Sequence, residues 1–436
     1  MDTEAIDDIS EVYNKFRKFL KSSSLKEREK RTYYSNPLVM WLMICQRLNG
    51  ARSMANLLEM TNDLPLKKLS GKRKVKKHKS NSTSGYAMAR SRLSLEIVTK
   101  LIDELCEWML EGIAESERLY VVDGSTFELT NSKELSEKYT PATGGYYPML
   151  RGLMCTEINS GITLRPEIGG LAGSKQAGEI KLFKQLIPRL PSGAMLMGDR
   201  NFGIHVVAML SKKQGLNVIL RLTDDRATKI NGGPLPTRCD KEVTWYPSKN
   251  DLNVHPELQE GEGITGRLIC TSGMDPKGNP VKLLIFTTTK LTVPQLIDIY
   301  KKRWRIEVDI RDIKKSMNME FLRVKSEDMA IKELYLGICA YNLTRKIIFI
   351  AADKLGIDPR TIGFLRAKTV IEVNSTKLFS SHTKKKQRKV IRSLYEGIQR
   401  CKLPNRKRTN RHEPRALVRD KRSKYPTLKG NRNDYK

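Results

Sequence analysis

Leu119-Tyr120-Val121-Val122-Asp123-Gly124 is the stretch on which the fold turns. Four apolar residues in a row, two of them β-branched, read as a short buried strand that ends in an acid and a glycine. Upstream the pattern is helical. Asn36-Pro37 opens an apolar periodic run, Leu38 to Leu48, and Gly50 marks a break. A second helix is expected at Ser53–Met60, and a long amphipathic one at Leu93–Leu110. Between them Lys67 to Lys79 carries eight Lys/Arg and no acid, running into Ser80-Asn81-Ser82-Thr83-Ser84-Gly85. That basic stretch suits recognition of DNA ends and equally suits a solvated surface loop.

Downstream the period changes. Met149–Ile158 and Gly161–Ile168 read as strands around a turn at Asn159-Ser160-Gly161. Glu179–Leu186 reads as helix, Ala194–Met197 as a strand ending in Gly198-Asp199-Arg200, Ile204–Lys213 as helix and Asn217–Leu222 as strand. This order predicts an α/β domain with a mixed sheet. Residues 224–290 are richer in Pro, Gly and short β-prone runs (Val243–Tyr246, Ile264–Cys270, Val281–Thr287) and read as a β-rich insertion. Helices follow at Pro294 to about Met317 and Met329 to Leu355. The expected organisation is a helical DNA-binding region at 1–115, the first part of the core at 116–223, the insertion at 224–290, the rest of the core at 291–380 and a basic tail at 381–436.

The 436 residues carry 80 Lys+Arg against 48 Asp+Glu, a formal net charge of +32. Such an excess points to a polyanionic partner, foremost nucleic acid. From Lys384 onward there are 20 Lys/Arg against four acids, and this tail is expected to be disordered alone and to lie along phosphates. The seven cysteines form no Cys-x-x-Cys pair and the five histidines are dispersed, which argues against a zinc site and a disulfide framework. The chain opens without a basic-then-apolar leader, and its apolar runs fall short of the ~20 residues of a membrane span. A cytoplasmic, nucleoid-associated protein with no membrane partner is expected.

Three carboxylates stand out. Around an ideal helix, Tyr300, Arg303, Glu307 and Lys314 fall within about 60° of one another, beside a stripe of Ile299, Ile306, Ile310, Ile313 and Met317. Asp309 and Asp312 fall on other faces, which leaves Glu307 as the helix's functional acid; the alternative is an ordinary surface pair between Arg303 and Glu307. Asp123 and Asp199 each end an apolar strand pattern, where an acid is costly unless it is paired or binds a cation. Strands adjacent in one sheet would bring the two together, and close carboxylates repel unless a divalent cation bridges them. Three carboxylates suit hard Mg²⁺, and two such ions about 3.5–4 Å apart can run phosphoryl transfer.

The spacing Tyr300-x2-Arg303-x3-Glu307-x6-Lys314 resembles the signature of DDE transposases of the insertion-sequence-four group. Asp123-Gly124-Ser125-Thr126-Phe127 and Gly198-Asp199-Arg200-Asn201-Phe202 look like the family's first-Asp and second-Asp motifs. The resemblance covers about residues 118 to 345. It implies an RNase H-like catalytic core with a β-rich insertion, and two Mg²⁺ ions, or Mn²⁺ in their place, held by Asp123, Asp199 and Glu307. It also implies phosphate contacts from Tyr300, Arg303 and Lys314; Arg200 either joins them or is an ordinary surface arginine. The expected partners are double-stranded DNA, both element ends and target, and further copies of the chain in a homodimer or higher oligomer on DNA. Some family members stack a flipped base on a Trp in the strand before the signature helix. Here that strand, Pro280 to Phe286, has none, and Trp245 reads sooner as a packed aromatic than as a stacking one. The expected activity is cut-and-paste DNA transposition. The alternatives are a metal-dependent nuclease without strand transfer and a non-catalytic, transposase-derived DNA-binding protein.

Overall fold

The computed structural model describes residues 3–22, 33–50, 53–61, 83–141, 145–274, 280–380 and 383–404. The basic stretch 67–79, with residues 80–82 after it, and the tail beyond 404 lie outside the described residues.

Five helices come first: α1 (Thr3–Ser22), α2 (Asn36–Leu48), α3 (Met54–Thr61), α4 (Ser84–Arg92) and α5 (Leu95–Leu110). Pro37 sits in the first turn of α2, where its missing N–H costs nothing. Helix α2 is buried almost all round, as its apolar sequence dictates. Ser94 caps α5 by accepting from the Glu96 N–H.

The sheet begins with β1 (Leu119–Leu129). A short α6 (Lys133–Lys138) leads to β2 (Met149–Glu157) and β3 (Glu167–Gly170), and α7 (Glu179–Leu186) crosses to β4 (Met195–Gly198). Then come α8 (His205–Lys213), β5 (Asn217–Arg221) and α9 (Asp224–Asn231). Strands β2 and β3 run antiparallel on one side of β1, while β4 and β5 run parallel on the other. The order β3-β2-β1-β4-β5, three antiparallel strands joined to parallel ones through crossover helices, is the RNase H-like arrangement. The expected strand at Gly161–Ile168 shifts to Glu167–Gly170, because Thr163 bridges back to Thr156 in a tight return.

Residues 224–290 are continuous with this sheet. They supply β6 (Cys239–Trp245), α10 (Lys249–Val254), β7 (Ile264–Met274) and β8 (Pro280–Thr287). Strand β8 pairs antiparallel with β5, and β7 and β6 follow outward. Trp245 is buried against His205 and Phe286, so it is a core aromatic.

The helix expected over Pro294–Met317 is two helices and a π-turn. Helix α11 (Val293–Lys301) gives way at Lys302-Arg303 to α12 (Trp304–Arg311), and residues Asp312–Ser316 form the π-turn. No Pro or Gly causes the break. Hydrogen bonds from Arg303 N–H to Tyr300 and from Arg305 N–H to Lys302 tighten the chain there into a 3₁₀ turn. A two-residue β9 (Phe321–Leu322) then pairs with the far end of β1.

Helix α13 (Glu327–Asp353) is the central beam of the helical layer. By length and composition it could cross a membrane, yet its apolar window is mostly buried inside the protein. It packs against α1, α2 and α5, and against α14 (Phe364–Ser380) and α15 (Lys384–Gln399). Its buried Glu333 accepts from Arg47 at 2.5 Å and from Arg90 at 2.6 Å, tying the amino-terminal helices to it. Residues 384–399, expected to be disordered, are thus a packed helix. All seven cysteines are free thiols.

Candidate active site

The backbone brings the two aspartates together. Asp123 is not at a strand end: β1 runs on to Leu129, and Asp123 pairs with Met154 of β2. The strand that stops is its other neighbour. In the parallel ladder Val121 pairs with Met197, and β4 ends at Gly198. Asp199 follows directly on the end of β4, on the side of β1 where Asp123 lies two residues beyond the last pair, and its charge acts on the Asp123 carboxyl. The chain turns sharply after Asp199, whose Oδ1 accepts from the Asn201 N–H at 2.8 Å. Gly203 makes that turn possible, since a Cβ there would stand 1.9 Å from the Arg221 carbonyl oxygen.

Helix α12 packs against β1 beside the gap that opens between β4 and β9. Its Glu307 accepts from Arg303 Nη2 at 2.7 Å. Burial, first, and the charge of Asp199, second, push the Asp123 carboxyl up to about 6. Arg303 and the Gly124 N–H pull it down, and Glu307 pushes it up again. So Asp123, Asp199, Arg303 and Glu307 lie within electrostatic reach of one another. Lys314, in the π-turn, lies with its ammonium 6.0 Å from the ring centre of Phe127 on β1. Arg200 is exposed, and its carbonyl accepts from Arg226. Asp309 and Asp312 turn instead to α13: Asp309, with 0% exposure, accepts from Tyr341, Arg345 and Arg360, and Asp312 from Arg345.

Three residues of this region escaped the sequence reading. The first is Glu179, at the start of α7. Its carboxyl lies over Gly124, where a Cβ would stand 2.0 Å from its Oε1. Burial raises its pKa, Arg151 opposes the rise, and the charge of Asp199 adds to it. The second is Arg221, the last residue of β5. Gly198 pairs with Leu220, so Arg221 lies one step on, beside Asp199. Arg221 Nε and the Tyr300 hydroxyl are both buried and bear on each other without a well-formed hydrogen bond; burial raises the Tyr300 pKa, while the charges of Arg303 and Arg221 lower it. The third is Trp304, whose neighbour Arg303 contacts Glu307 and which is 61% exposed. An exposed indole beside a guanidinium is a stacking surface for a base. For Trp304 the signal was a tryptophan between the Arg and Glu of the signature; Glu179 and Arg221 carry no local mark.

Asp123 and Asp199 with Arg303 and Arg221 near them suit chemistry on a phosphodiester: oxygen donors for a cation, and cations for the phosphate. Residues 114–343 match the family described as the transposase DDE domain. The chain belongs to that family. Asp123, Asp199, Glu179, Arg221, Tyr300, Arg303, Trp304, Glu307 and Lys314 all lie inside the matched DDE domain. The chain is 29% identical over 369 residues to the transposase InsG for insertion sequence element IS4 of Escherichia coli K12, covering 79% of this chain and 78% of that protein. It is 25% identical over 135 residues to the putative transposase InsL for IS186A of the same strain, 31% of this chain and 35% of that one. A solved structure, the piggyBac transposase synaptic complex with hairpin DNA, aligns with a TM-score of 0.41 at 10% identity, over 86% of this chain and 77% of that one. As a member of the DDE family the chain is a DNA transposase, an enzyme of DNA cleavage and strand transfer in a class that works with divalent metal.

Proposed function

We propose that Asp123, Asp199 and Glu307 are the catalytic acids of this transposase and hold Mg²⁺, or Mn²⁺, during cleavage at element ends and strand transfer into target DNA. The observation that carries the reading is that the charges of Asp199, Arg303 and Glu307 all act on the Asp123 carboxyl, with β1 and β4 adjacent in the sheet. The donor set fits a hard cation. It is all oxygen, and burial first, with the charge of Asp199 second, drives a proton toward Asp123, which a cation would replace. Among the described residues no three acids yet stand close enough to clasp an ion together. Glu307 faces Arg303 and would exchange it for the metal. When bound, two ions would activate the attacking oxygen and stabilise the leaving one.

The remaining work falls to the chain. Arg303, released from Glu307, holds a phosphate oxygen near the reacting phosphorus. Lys314 adds a point charge from the π-turn. Tyr300 and Arg221, buried donors that bear on each other, take a phosphate oxygen beside Asp199. Trp304 stacks a base next to the cut. The substrate is double-stranded DNA, bound by a homodimer or higher oligomer because two ends must be joined.

The test uses Glu307→Gln with duplexes carrying the element's own terminal sequences. Cleavage should fall by at least about 10³-fold, the scale of losing one transition-state charge partner, while end binding stays within threefold of the parent. Cleavage that survives would remove Glu307 from the site. Pre-cut ends, offered to the unmodified protein, should yield joined strands; hydrolysis alone would mark a nuclease. Arg221→Ala is expected to lower cleavage by about 10- to 100-fold, with Arg221→Lys recovering only part, since a point charge replaces a forked donor. An unchanged single-turnover rate in Arg221→Ala would exclude that role.

A further inference from the structure

Helices α2, α3, α4, α8, α11 and α14 have no acid in the first turn, and α15 shares that lack but adds three lysines there. Helices α5, α7, α9 and α13 each place Glu or Asp in the first turn, where the helix dipole and free N–H groups favour negative charge. Helix α15 opens with Lys384, Lys385 and Lys386 and has no first-turn acid. Thr383 caps it by accepting from the Lys386 N–H at 3.3 Å, so the helix start is well formed. It is only wrongly charged for a protein standing alone.

The other face explains why the helix stays folded. Ile391, Leu394, Tyr395, Gly397 and Ile398 are buried against the helical layer, with Gly397 close on Val370 of α14. At about 100° per residue, Lys385, Lys386, Lys389, Arg392 and Arg400 fall on the opposite side, centred roughly 160° from Ile391. All five are exposed. None of the five makes an ion pair among the described residues; the pair that α15 does make, Arg388 with Asp7 at 3.2 Å, lies toward α1. Glu396 is the one acid on that outer face.

We propose that the outer face of α15 is a DNA-backbone binding surface, separate from the catalytic acids, that grips the duplex without reading sequence. The proposal rests on the reading of the chain as an enzyme acting on DNA. Sixteen residues make a row of cations about 24 Å long, enough to reach about three or four successive phosphates of one strand, which lie roughly twice the 3.4 Å axial rise apart. Phosphates lying over Lys385 and Lys386 also meet the positive end of the helix, which turns the unfavourable start into a favourable one. A membrane surface does not suit this helix. Membrane-bound amphipathic helices insert their apolar face, and here that face is already buried in the protein.

The test compares the full chain with the triple variant Lys385→Gln, Lys389→Gln and Arg392→Gln. Gln keeps helix propensity close to that of the residues it replaces. Binding is measured by fluorescence anisotropy on an element-end duplex and on an unrelated duplex of equal length, across a salt series. Affinity for both duplexes should fall at least tenfold at 0.1 M salt. The slope of log affinity against log salt should become shallower by about two to three units, close to 0.9 for each phosphate no longer neutralised. The charge-keeping triple Lys385→Arg, Lys389→Arg and Arg392→Lys should bind like the parent. If the Gln triple misfolds by thermal melting, Lys389→Gln alone should still reduce the slope by about one unit. Unchanged affinity and slope in the Gln variants would overturn the proposal. So would a loss seen with anionic lipid vesicles but not with DNA. Cleavage is scored separately at low salt and saturating protein. Intact cleavage with unaltered binding counts against the α15 surface alone, and altered binding in a chain that never cleaves counts against the catalytic reading alone.

Discussion

Asp309→Ala will destabilise the protein by about 3–5 kcal/mol, the scale for stripping one partner from a buried charge cluster. Asp309 is fully buried and is the common acceptor for Tyr341, Arg345 and Arg360. Arg345 and Arg360 are themselves nearly buried, so removing the carboxylate strands two cations. Helix α12 is held from beneath by this cluster, while Glu307, two residues away, pairs with Arg303 on another face. Loss of the anchor should therefore cost cleavage as well as stability. Urea unfolding monitored by circular dichroism gives the first quantity, and single-turnover cleavage well below the melting temperature gives the second. A drop under 1 kcal/mol would show that the cluster is dispensable. Asp309→Asn, which keeps the shape but not the charge, should fall between the two.

Asp123→Asn should do the reverse: it should stabilise the metal-free protein while abolishing cleavage. The folded Asp123 carboxyl sits at about 6 against an ordinary 3.8, raised by burial and by Asp199. The folded state therefore binds that proton more tightly than the unfolded state does. Stability from this group is complete below about pH 4 and is lost as pH rises through about 6. Two pK units correspond to about 2–3 kcal/mol at most. At pH 7.5 without divalent cation, Asn should recover on the order of 2 kcal/mol of this, and the gain should vanish near pH 3.5. Added Mg²⁺ should stabilise the parent and leave the variant nearly unmoved. Melting temperatures across pH, with and without Mg²⁺, test this; an Asn variant that is less stable at pH 7.5 and indifferent at pH 3.5 would contradict the electrostatic account. Cleavage by the parent should fall as pH drops below 6 at limiting metal, because the proton and the cation compete for one carboxylate.

The chain's legibility depended on how local each feature is. Apolar runs around Val121, Met197 and Val218 marked the strands, and period placed α2, α3 and α5 but not α1 or α4 among the helices before Asp123. The RNase H-like expectation came from motifs, and strand order bears it out. The register could not be read, because it depends on which strands pair. Asp123 read as a strand terminus because acids are costly inside strands; in fact the neighbouring strand ends, and Asp123 faces the space it leaves. The segment 224–290 read as β-rich from its short β-prone runs, but nothing local marks that β8 pairs with β5 and extends the sheet. Arg221 and Glu179 were invisible for the same reason: only pairing with β4 and the crossing of α7 bring them to Asp199. The wheel that picked Glu307 assumed one straight helix. The 3₁₀ turn at Arg303 and the π-turn at Lys314 have no mark in residue type, and both fall on residues of the signature. The tail was read by composition, which hid the periodic Ile391, Leu394 and Ile398 within it.

Helix α13 has a bearing on how such a protein can diversify. Glu333 near one end receives Arg47 and Arg90, and Arg345, twelve residues or about 18 Å further along, receives Asp309 and Asp312. The amino-terminal helices and the signature helix are thus grafted onto one stem. Exchanging the first hundred residues for those of a distant relative would leave Glu333 or its arginines orphaned inside the seam. New specificities in this lineage are therefore expected to arise by piecemeal replacement of exposed side chains, and chimeras to survive only when the arginine–glutamate joint travels with the graft.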